Sequence, residues 1–475
     1  MSEQMAPWRA EPKTKIVCTL GPASQSEERL RALLQAGADV MRLNFSHGTQ
    51  EEHRHVINRV RHLAEEMHLP VAILQDLAGP KVRIGTFSQG SITLRPEDHF
   101  TLTTRAISGT QQEVSVSYSQ LPQEVKRGDT LLLADGAVAL EVQKVTKQEI
   151  HCRVTAGGTL SAHKGVNCPS GLFQLPLLGT KDLQDLQFGI DQGVDYIGLS
   201  FVRTAEDIRL AKEEIARRNS NLPVIAKIET QAALTHVDEI LAAADGIMIA
   251  RGDLGIETPL VRVPLVQKQL IAKSNQLAKP VITATQMLWS MVDSPRPTRA
   301  EVADVANAVL DGTDALMLSE ETAVGQYPEL AVQTMARVAT ETEHTEPPHV
   351  STSVHDALLP LSEAELVAQA ACRLATASEM EAIVTVTLEG TTARLVAKYR
   401  PTQPVIAVTS RLDTYRRLAL VRGVTAVLLP ADTDTREAMI EKTKDLMRAY
   451  GFTGKKVVIV SSISAEQNLL ATDVL

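Results

Sequence analysis

The chain reads as α/β: a (β/α)8 TIM barrel carrying an inserted small β-barrel, followed by an open parallel sheet. Three observations predict this. Eight short β-branched runs alternate with helical patterns through most of the 475 residues. About a hundred residues between the third and fourth runs drop that rhythm for period-two alternation. After a Pro- and His-bearing break near residue 345 a shorter series of apolar runs resumes. Eight βα units imply a closed parallel barrel, and a barrel of that kind places its chemistry where the strands end.

The barrel strands are expected at Lys15–Leu20, Val40–Phe45, Val71–Gln75, Tyr196–Leu199, Val224–Ile228, Gly246–Ile249, Pro280–Thr283 and Ala315–Leu318. Helical patterns between them include Glu27–Gln35, Thr49–Met67, Glu206–Arg218, Val263–Leu277 and Arg299–Leu310. Within the gap, Thr130–Val142 alternates around Asp135-Gly136, a hairpin dipeptide, and Gly157-Gly158 marks another turn. Residues 86–168 therefore form a β-rich insert in a barrel loop, a candidate lid over the catalytic face. Thr345–Pro360 reads as a linker. Beyond it, strands at Ala382–Val386, Val405–Val408, Val424–Leu429 and Lys456–Val460 form the open sheet. The expected division is a barrel of residues 1–85 and 169–344, a lid of 86–168 and a C-terminal unit of 345–475. There is no Walker loop and no Rossmann glycine fingerprint.

Composition bounds the function. Forty-four per cent hydrophobic and 22% charged is ordinary for a globular protein. A net charge of −9 argues against general affinity for nucleic acid or anionic membrane, while leaving room for a local basic pocket. The four cysteines, Cys18, Cys152, Cys168 and Cys372, lack metal-ligand spacing and read as reduced thiols, so a cytoplasmic location is expected. Met1–Pro7 lacks a signal-peptide pattern, and no apolar run approaches membrane-spanning length.

The chemistry concentrates at strand ends. Lys227 and Glu229, two apart at the end of Pro223–Glu229, share a face. Asp253, in Ala250-Arg-Gly-Asp-Leu-Gly255, closes the next apolar run. Two carboxylates from adjacent strand ends can hold Mg²⁺, and the lysine beside them can neutralise a transferring phosphoryl group. A solvated ion pair at a loop is the plainer alternative, but such charges rarely end buried strands without a partner or a role. In Val40–His47, Arg42, Asn44 and Ser46 share one face and Met41, Leu43 and Phe45 the other; Arg42 can fork onto phosphate or carboxylate oxygens. Thr283 and Thr285 offer hydroxyls at the seventh strand. Asp76, Ser200, Ser319 and Glu321 complete the set of polar strand ends.

Several of these stretches resemble pyruvate kinase. They are Met41-Arg-Leu-Asn-Phe-Ser-His-Gly48, Ala226-Lys-Ile-Glu229, Ala250–Glu257, Ala284-Thr-Gln-Met-Leu288, Pro295–Glu301 and Met317–Ala323. The resemblance implies transfer of phosphate from phosphoenolpyruvate to ADP, giving pyruvate and ATP, with Mg²⁺ or Mn²⁺. It implies Glu229 and Asp253 as metal ligands and Lys227 as the group that stabilises the transferring phosphoryl. Arg42 and Ser200 would hold the substrate phosphate; Gly252, Asp253 and Thr285 its carboxylate. Thr285, with Ser319 and water, would deliver the proton to the enolate. Asn44, His47, Arg83 and Lys164 would contact ATP, Lys164 from the lid. A homotetramer is implied as well. A barrel enzyme that handles a pyruvate enolate without ADP, and a catalytically silent metabolite sensor, are the rival readings.

Departures from the family pattern carry further expectations. Glu52 replaces an aromatic residue common near the adenosine site. The family's monovalent-cation site corresponds to Asn44, Ser46, Asp76 and Leu77, and Lys81 stands where potassium-dependent relatives have Glu. Lys81 is expected to act as an internal cation paired with Asp76, so potassium is not required. In the C-terminal unit, Thr387, Gly390, Thr391 and Thr392 form a strand-to-helix turn suited to an anionic effector. Leu388 and Glu389 favour a sugar monophosphate or AMP over a bisphosphate there.

Overall fold

The computed structural model describes residues 12–169, 175–345, 361–430, 436–464 and 467–474. Met1–Pro7 and all but the first residue of the expected linker lie outside them. Eight parallel strands close into a barrel: β1 (Lys15–Leu20), β2 (Val40–Asn44), β3 (Ala72–Asp76), β4 (Tyr196–Leu199), β5 (Val224–Ile228), β6 (Gly246–Ala250), β7 (Val281–Ala284) and β8 (Ala315–Leu318). Chain neighbours are barrel neighbours, and β8 closes on β1 from Lys15–Ala315 to Cys18–Leu318. β1, β4, β5 and β8 match their expected spans, β2 and β6 differ by a residue at one end, and β3 and β7 are shifted by one residue at both ends. β7 begins at Val281 because Pro280 has no N–H to give the ladder.

Alternation sorts the side chains. Val17, Val40, Leu74, Ile225, Met248 and Met317 fill the barrel interior. Met41, Leu43 and Phe45 of β2 face the surrounding helices instead. Those helices start where the sequence provides caps. Thr49 and Glu52 form a capping box for Gln50–Glu66, and Thr298 and Glu301 form one for Arg299–Leu310. The inward positions Arg42, Asp76 and Lys227 near the C-terminal ends of β2, β3 and β5 are polar and meet one another in one layer of contacts.

The insert consists of a six-stranded and a two-stranded sheet around one core of Phe100, Leu102, Leu131, Leu140, Ile150 and neighbours. Thr130–Leu133 and Val138–Val145 make the expected hairpin, with Asp135 and Gly136 both at positive φ (57° and 86°). Its tip approaches the barrel mouth: Asp135 stands 4.0 Å from Lys81 Nζ. At the neck of the insert, Asn167 Nδ2 donates to Glu257 Oε1 at 3.0 Å, tying the insert to the helix after β6.

The C-terminal sheet runs Val424–Leu428, Val405–Thr409, Ala382–Thr387, Lys456–Ser464, Gln467–Val474. The first four strands are parallel, as expected, and the fifth is an antiparallel edge that the sequence reading did not include. This unit plugs the barrel's N-terminal end. Ala419 and Leu420 are buried in the interior core, Tyr196 Oη donates to the Arg417 carbonyl at 2.8 Å, and Arg400 pairs with Asp314 at 3.0 Å. Among the described residues no helix is long and apolar enough to cross a membrane.

Candidate active site

The polar layer is an interlocked cluster. Asp76, 1% exposed, accepts from Arg42 Nε at 2.8 Å and lies 2.6 Å from Arg42 Nη2. It also stands 3.3 Å from Lys227 Nζ. Arg42 Nη1 donates to Thr19 Oγ1 at 2.8 Å. Lys227 Nζ donates to Ser200 Oγ at 2.7 Å, and Ser200 Oγ donates to the Leu77 carbonyl at 2.7 Å. Glu229 is fully buried. Its Oε1 accepts from the Phe201 N–H at 2.6 Å, while its Oε2 has no hydrogen-bond partner and lies 3.6 Å from Lys227 Nζ.

The charges respond to one another. Burial would raise the Asp76 carboxyl, but Lys227 and Arg42 outweigh it and hold the group below its ordinary range. Burial would lower the Lys227 ammonium, but Asp76 and Glu229 outweigh it and raise the group. Glu229 is pushed up to about 7, chiefly by burial and further by Asp253 and Asp76, against the pull of Lys227. A buried carboxylate oxygen without a donor, facing a second carboxylate, fits a divalent cation. Among the described residues no cluster of three or more His, Cys, Asp or Glu side chains could hold a metal. Glu229 and Asp253 would therefore supply two ligands and leave the rest to substrate oxygens and water, as Mg²⁺ prefers.

A cavity of about 720 Å³ opens above this layer, with Arg42, Asn44, Lys227, Glu229, Asp253 and Thr285 on its walls. Thr285 reaches it by an unusual route. Ala284 points into the barrel, so regular alternation turns both Thr283 and Thr285 outward. Thr283 does turn outward and bonds Thr313 Oγ1 at 2.9 Å, so it is not part of the mouth as the sequence suggested. Thr285 escapes because its φ is +71°, rare for a β-branched residue. Arg251 pins that conformation, donating to the Ala284 carbonyl at 3.2 Å and the Thr285 carbonyl at 2.8 Å while paired with Asp304. The Gly252 N–H donates to Thr285 Oγ1 at 2.9 Å, so it is engaged rather than presented to the cavity. Ser319 lines the cavity. Glu321 does not: it is fully buried and accepts from the N–H groups of Leu288 and Ser319, so it organises loops instead.

The remaining expected residues divide. Asn44 and His47 line the same cavity, with Glu52 and His53 at its rim. His53 stacks on Phe45 at 4.1 Å, and Glu52 Oε2 accepts from the Thr49 N–H at 2.7 Å. Arg83 and Lys164 stand apart on the neck of the insert, where Arg83 bridges to Gly165 and donates to the His163 carbonyl at 3.0 Å. The monovalent-site set is only partly assembled. Asn44 Oδ1 accepts from the Ser46 N–H at 3.1 Å, and the Leu77 carbonyl is taken by Ser200. The expected Lys81–Asp76 pairing is not what forms: Arg42 and Lys227 already occupy Asp76, and Lys81 Nζ lies 3.4 Å from Asp253 instead. In the C-terminal turn, Gly390 (φ 78°) donates to Thr387 Oγ1 at 3.0 Å, Thr392 is buried, and Thr391 Oγ1 accepts from Arg394. Sequence reasoning missed Thr19, the Phe201 N–H and Arg251. Only Arg251 carried a signal, as a cation beside Asp253 within a quoted motif.

The fold and the mouth together define a barrel enzyme built for a phosphorylated, carboxylate-bearing substrate. The family description "Pyruvate kinase, barrel domain" matches residues 11–332, and "Pyruvate kinase, alpha/beta domain" matches 365–472. Pyruvate kinase 2 of Synechocystis is 48% identical over 91% of this chain and 74% of that protein. Pyruvate kinase of Thermotoga maritima is 42% identical over 95% of this chain and 96% of that protein. A crystal structure of a pyruvate kinase from Cryptosporidium parvum superimposes with a TM-score of 0.91 at 37% identity, covering 97% of this chain and 95% of that one. The chain belongs to the pyruvate kinase family. Its reaction is phosphoryl transfer from phosphoenolpyruvate to ADP, giving pyruvate and ATP.

Proposed function

We propose that the layer around Lys227 performs this transfer with Mg²⁺ (or Mn²⁺) at Glu229 and Asp253. The donor-free Oε2 of buried Glu229 carries the reading. The metal supplies a Lewis acid for the enol oxygen. Arg42, steered by Asp76 and Thr19, binds the substrate phosphate with Ser200. Lys227 balances charge on the transferring group. Thr285, with Gly252 and Asp253 beside it, orients the substrate carboxylate, and Thr285 with Ser319 moves the proton to the enolate carbon. Asn44 and His47 contact the nucleotide in the mouth, and Arg83 and Lys164 join them from the lid, residues 86–168, on closure over the barrel of 1–85 and 169–344. The test is a coupled assay of ADP-dependent pyruvate formation. Glu229→Gln should raise the Mg²⁺ requirement, and raised Mg²⁺ should partly restore its rate. No change in metal dependence would overturn the assignment.

Four finer readings accompany it. Turnover needs no potassium, because Lys81 places an ammonium 3.4 Å from Asp253 and a second monovalent cation nearby would be repelled. A potassium-free assay with a bulky organic cation tests this, and activation of about tenfold or more by potassium would overturn it. The chain forms a homotetramer, supported by exposed Leu260 and Val261 in a 3-10 turn and Leu265 in the helix Val263–Gln276 that follows it (74%, 85% and 62%), and checked by light scattering. The unit of 345–475 binds a sugar monophosphate or AMP effector at Thr387, Gly390, Thr391 and Thr392, tested by titration at subsaturating phosphoenolpyruvate. A cytoplasmic location is supported by the buried, free thiols of Cys18, Cys152 and Cys372 and tested by cell fractionation.

A further inference from the structure

The insert leaves and rejoins the barrel through two paired segments. The Val166 N–H donates to the Val82 carbonyl at 2.9 Å, the Ile84 N–H donates to the Lys164 carbonyl at 2.9 Å, and Arg83 bridges to Gly165. Arg83 and Lys164 therefore ride on one neck. Asn167, just beyond Gly165, is buried and pairs with Leu132 of Thr130–Leu133, the strand whose hairpin tip carries Asp135. A displacement of Asn167 thus moves Arg83, Lys164 and the hairpin together.

A carboxylate of the barrel meets this neck. Glu257 closes the helix Arg251–Glu257, one turn beyond Asp253. Its Oε1 accepts from Asn167 Nδ2 at 3.0 Å, and its carboxylate also accepts from the Gln231 backbone N–H, just past Glu229 in the chain. Thr258 Oγ1 donates to Gln231 Oε1 at 3.1 Å, so the Gln231 segment is held at two points. Glu257 therefore joins the segments after β5 and β6, which carry Glu229 and Asp253, to the neck that carries Arg83 and Lys164. Burial raises the Glu257 carboxyl and Asp253 adds to it, against the donors of Asn167 and Gln231. Beside the link lies a cavity of about 250 Å³ with Val82, Val166, Phe201 and Gln231 among its walls. Apolar packing between neck and barrel is incomplete on that side, so the polar link carries more of the orientation than interdigitated side chains do.

We propose that Glu257 is a positioning residue for the nucleotide: through Asn167 it holds the neck at the angle from which Arg83 and Lys164 reach the mouth. This rests on the reading of those two residues as nucleotide contacts. With the link in place, the orientation that can take ADP is the populated one. Without it the insert samples other angles, and apparent affinity for ADP falls in proportion to the competent fraction. Phosphoenolpyruvate and the metal, held by barrel residues alone, are spared. The effect therefore falls on KM for ADP rather than on kcat.

Steady-state kinetics of the full chain with Asn167→Ala, Glu257→Ala and the double variant test this, beside Mn²⁺ titration and hydrogen exchange. Each single variant should raise KM for ADP about tenfold, as loss of a hydrogen bond to a charged group does. KM for phosphoenolpyruvate and Mn²⁺ affinity should stay at wild-type values. The double variant should be no worse than either single one, because both remove the same link. Amides of the hairpin Thr130–Val145 should stay as protected as in the wild type, showing that the insert is displaced and not unfolded. Lys164→Gln separates this proposal from the reading beneath it. If Lys164→Gln raises KM for ADP and the Asn167 and Glu257 variants do not, Glu257 positions nothing and the lid reading stands. If those variants act but Lys164→Gln does not, the lid supplies no nucleotide contact there and both readings fall. A Glu257→Ala variant that loses Mn²⁺ affinity, or effects of the two single variants that add, would also overturn the proposal.

Discussion

Lys227, proposed to balance charge on the transferring group, also sits among buried carboxylates, and a substitution there tests both roles. In the structure it faces two buried carboxylates, Asp76 at 3.3 Å and Glu229 at 3.6 Å. Lys227→Met should lower kcat by roughly 10²–10³ or more, as for other preorganised charges. It should also lower the Tm, because removing one partner leaves buried charge uncompensated at a cost of several kcal/mol. Steady-state kinetics and a melting curve check both; an unchanged Tm would show that Arg42 alone balances the cluster. Glu229 adds a pH dependence. Its folded pKa of about 7 lies above the ordinary 4.5, so the metal-free folded state binds the extra proton between those values. That stabilising contribution is complete below 4.5 and is lost as pH rises through 7. A divalent cation must displace the same proton, so Mn²⁺ affinity should be about tenfold weaker at pH 6 than at pH 8. Titration calorimetry at both values checks this, and Glu229→Gln should flatten the difference.

Strand ends show what a sequence can and cannot reveal. Lys227, Glu229, Arg42 and Asp76 were legible because period two places them on one face and each strand runs straight to its end. Thr285 was legible only by residue type. Its geometry depends on a positive φ that no local pattern marks, and the same alternation wrongly recruited Thr283. The Asp135-Gly136 hairpin was readable from its turn dipeptide, whereas the Lys81 partner was not, since it depends on how Arg42 and Lys227 fill Asp76 first. The β7 end yields a test of its own. Arg251→Lys keeps the charge opposite Asp304 but cannot fork onto two carbonyls. Thr285 should then relax toward ordinary φ, and kcat should fall about tenfold or more, since a small misplacement in a site is expensive. Hydrogen exchange at C3 of pyruvate should fall with it, while Mn²⁺ affinity stays unchanged. A variant that loses metal affinity instead would show that Arg251 supports Asp253 rather than Thr285.

At the scale of the whole molecule, the barrel does not close its own base. A barrel of this type usually fills its interior with layers of its own side chains. Here Ala419 and Leu420 enter from the C-terminal unit and pack in the same cluster as Val17, Val40, Ala72 and Ile225. Leu420 is fully buried, and polar ties surround the plug: Tyr196 to the Arg417 carbonyl at 2.8 Å, Arg422 to Glu343 at 3.6 Å and the Gly423 N–H to the Lys13 carbonyl at 2.8 Å. The C-terminal unit is thus part of the barrel's core as well as a candidate effector platform. Removing everything after Thr345 should therefore not release an unregulated enzyme. It should expose apolar side chains at the barrel base, and the fragment should aggregate or fail to accumulate in soluble form. Leu420→Asp isolates the plug without truncation. Burying an unpaired carboxylate costs several kcal/mol, which for a unit of this size corresponds to a Tm lower by roughly ten degrees. Leu420→Met, which conserves volume, should cost under about 1.5 kcal/mol and keep turnover. Thermal unfolding and size-exclusion chromatography of the three proteins decide the matter. A soluble, active barrel fragment would show that the plug serves docking alone; an aggregated fragment with a destabilised Leu420→Asp variant would show that the barrel's stability and the C-terminal unit cannot be separated.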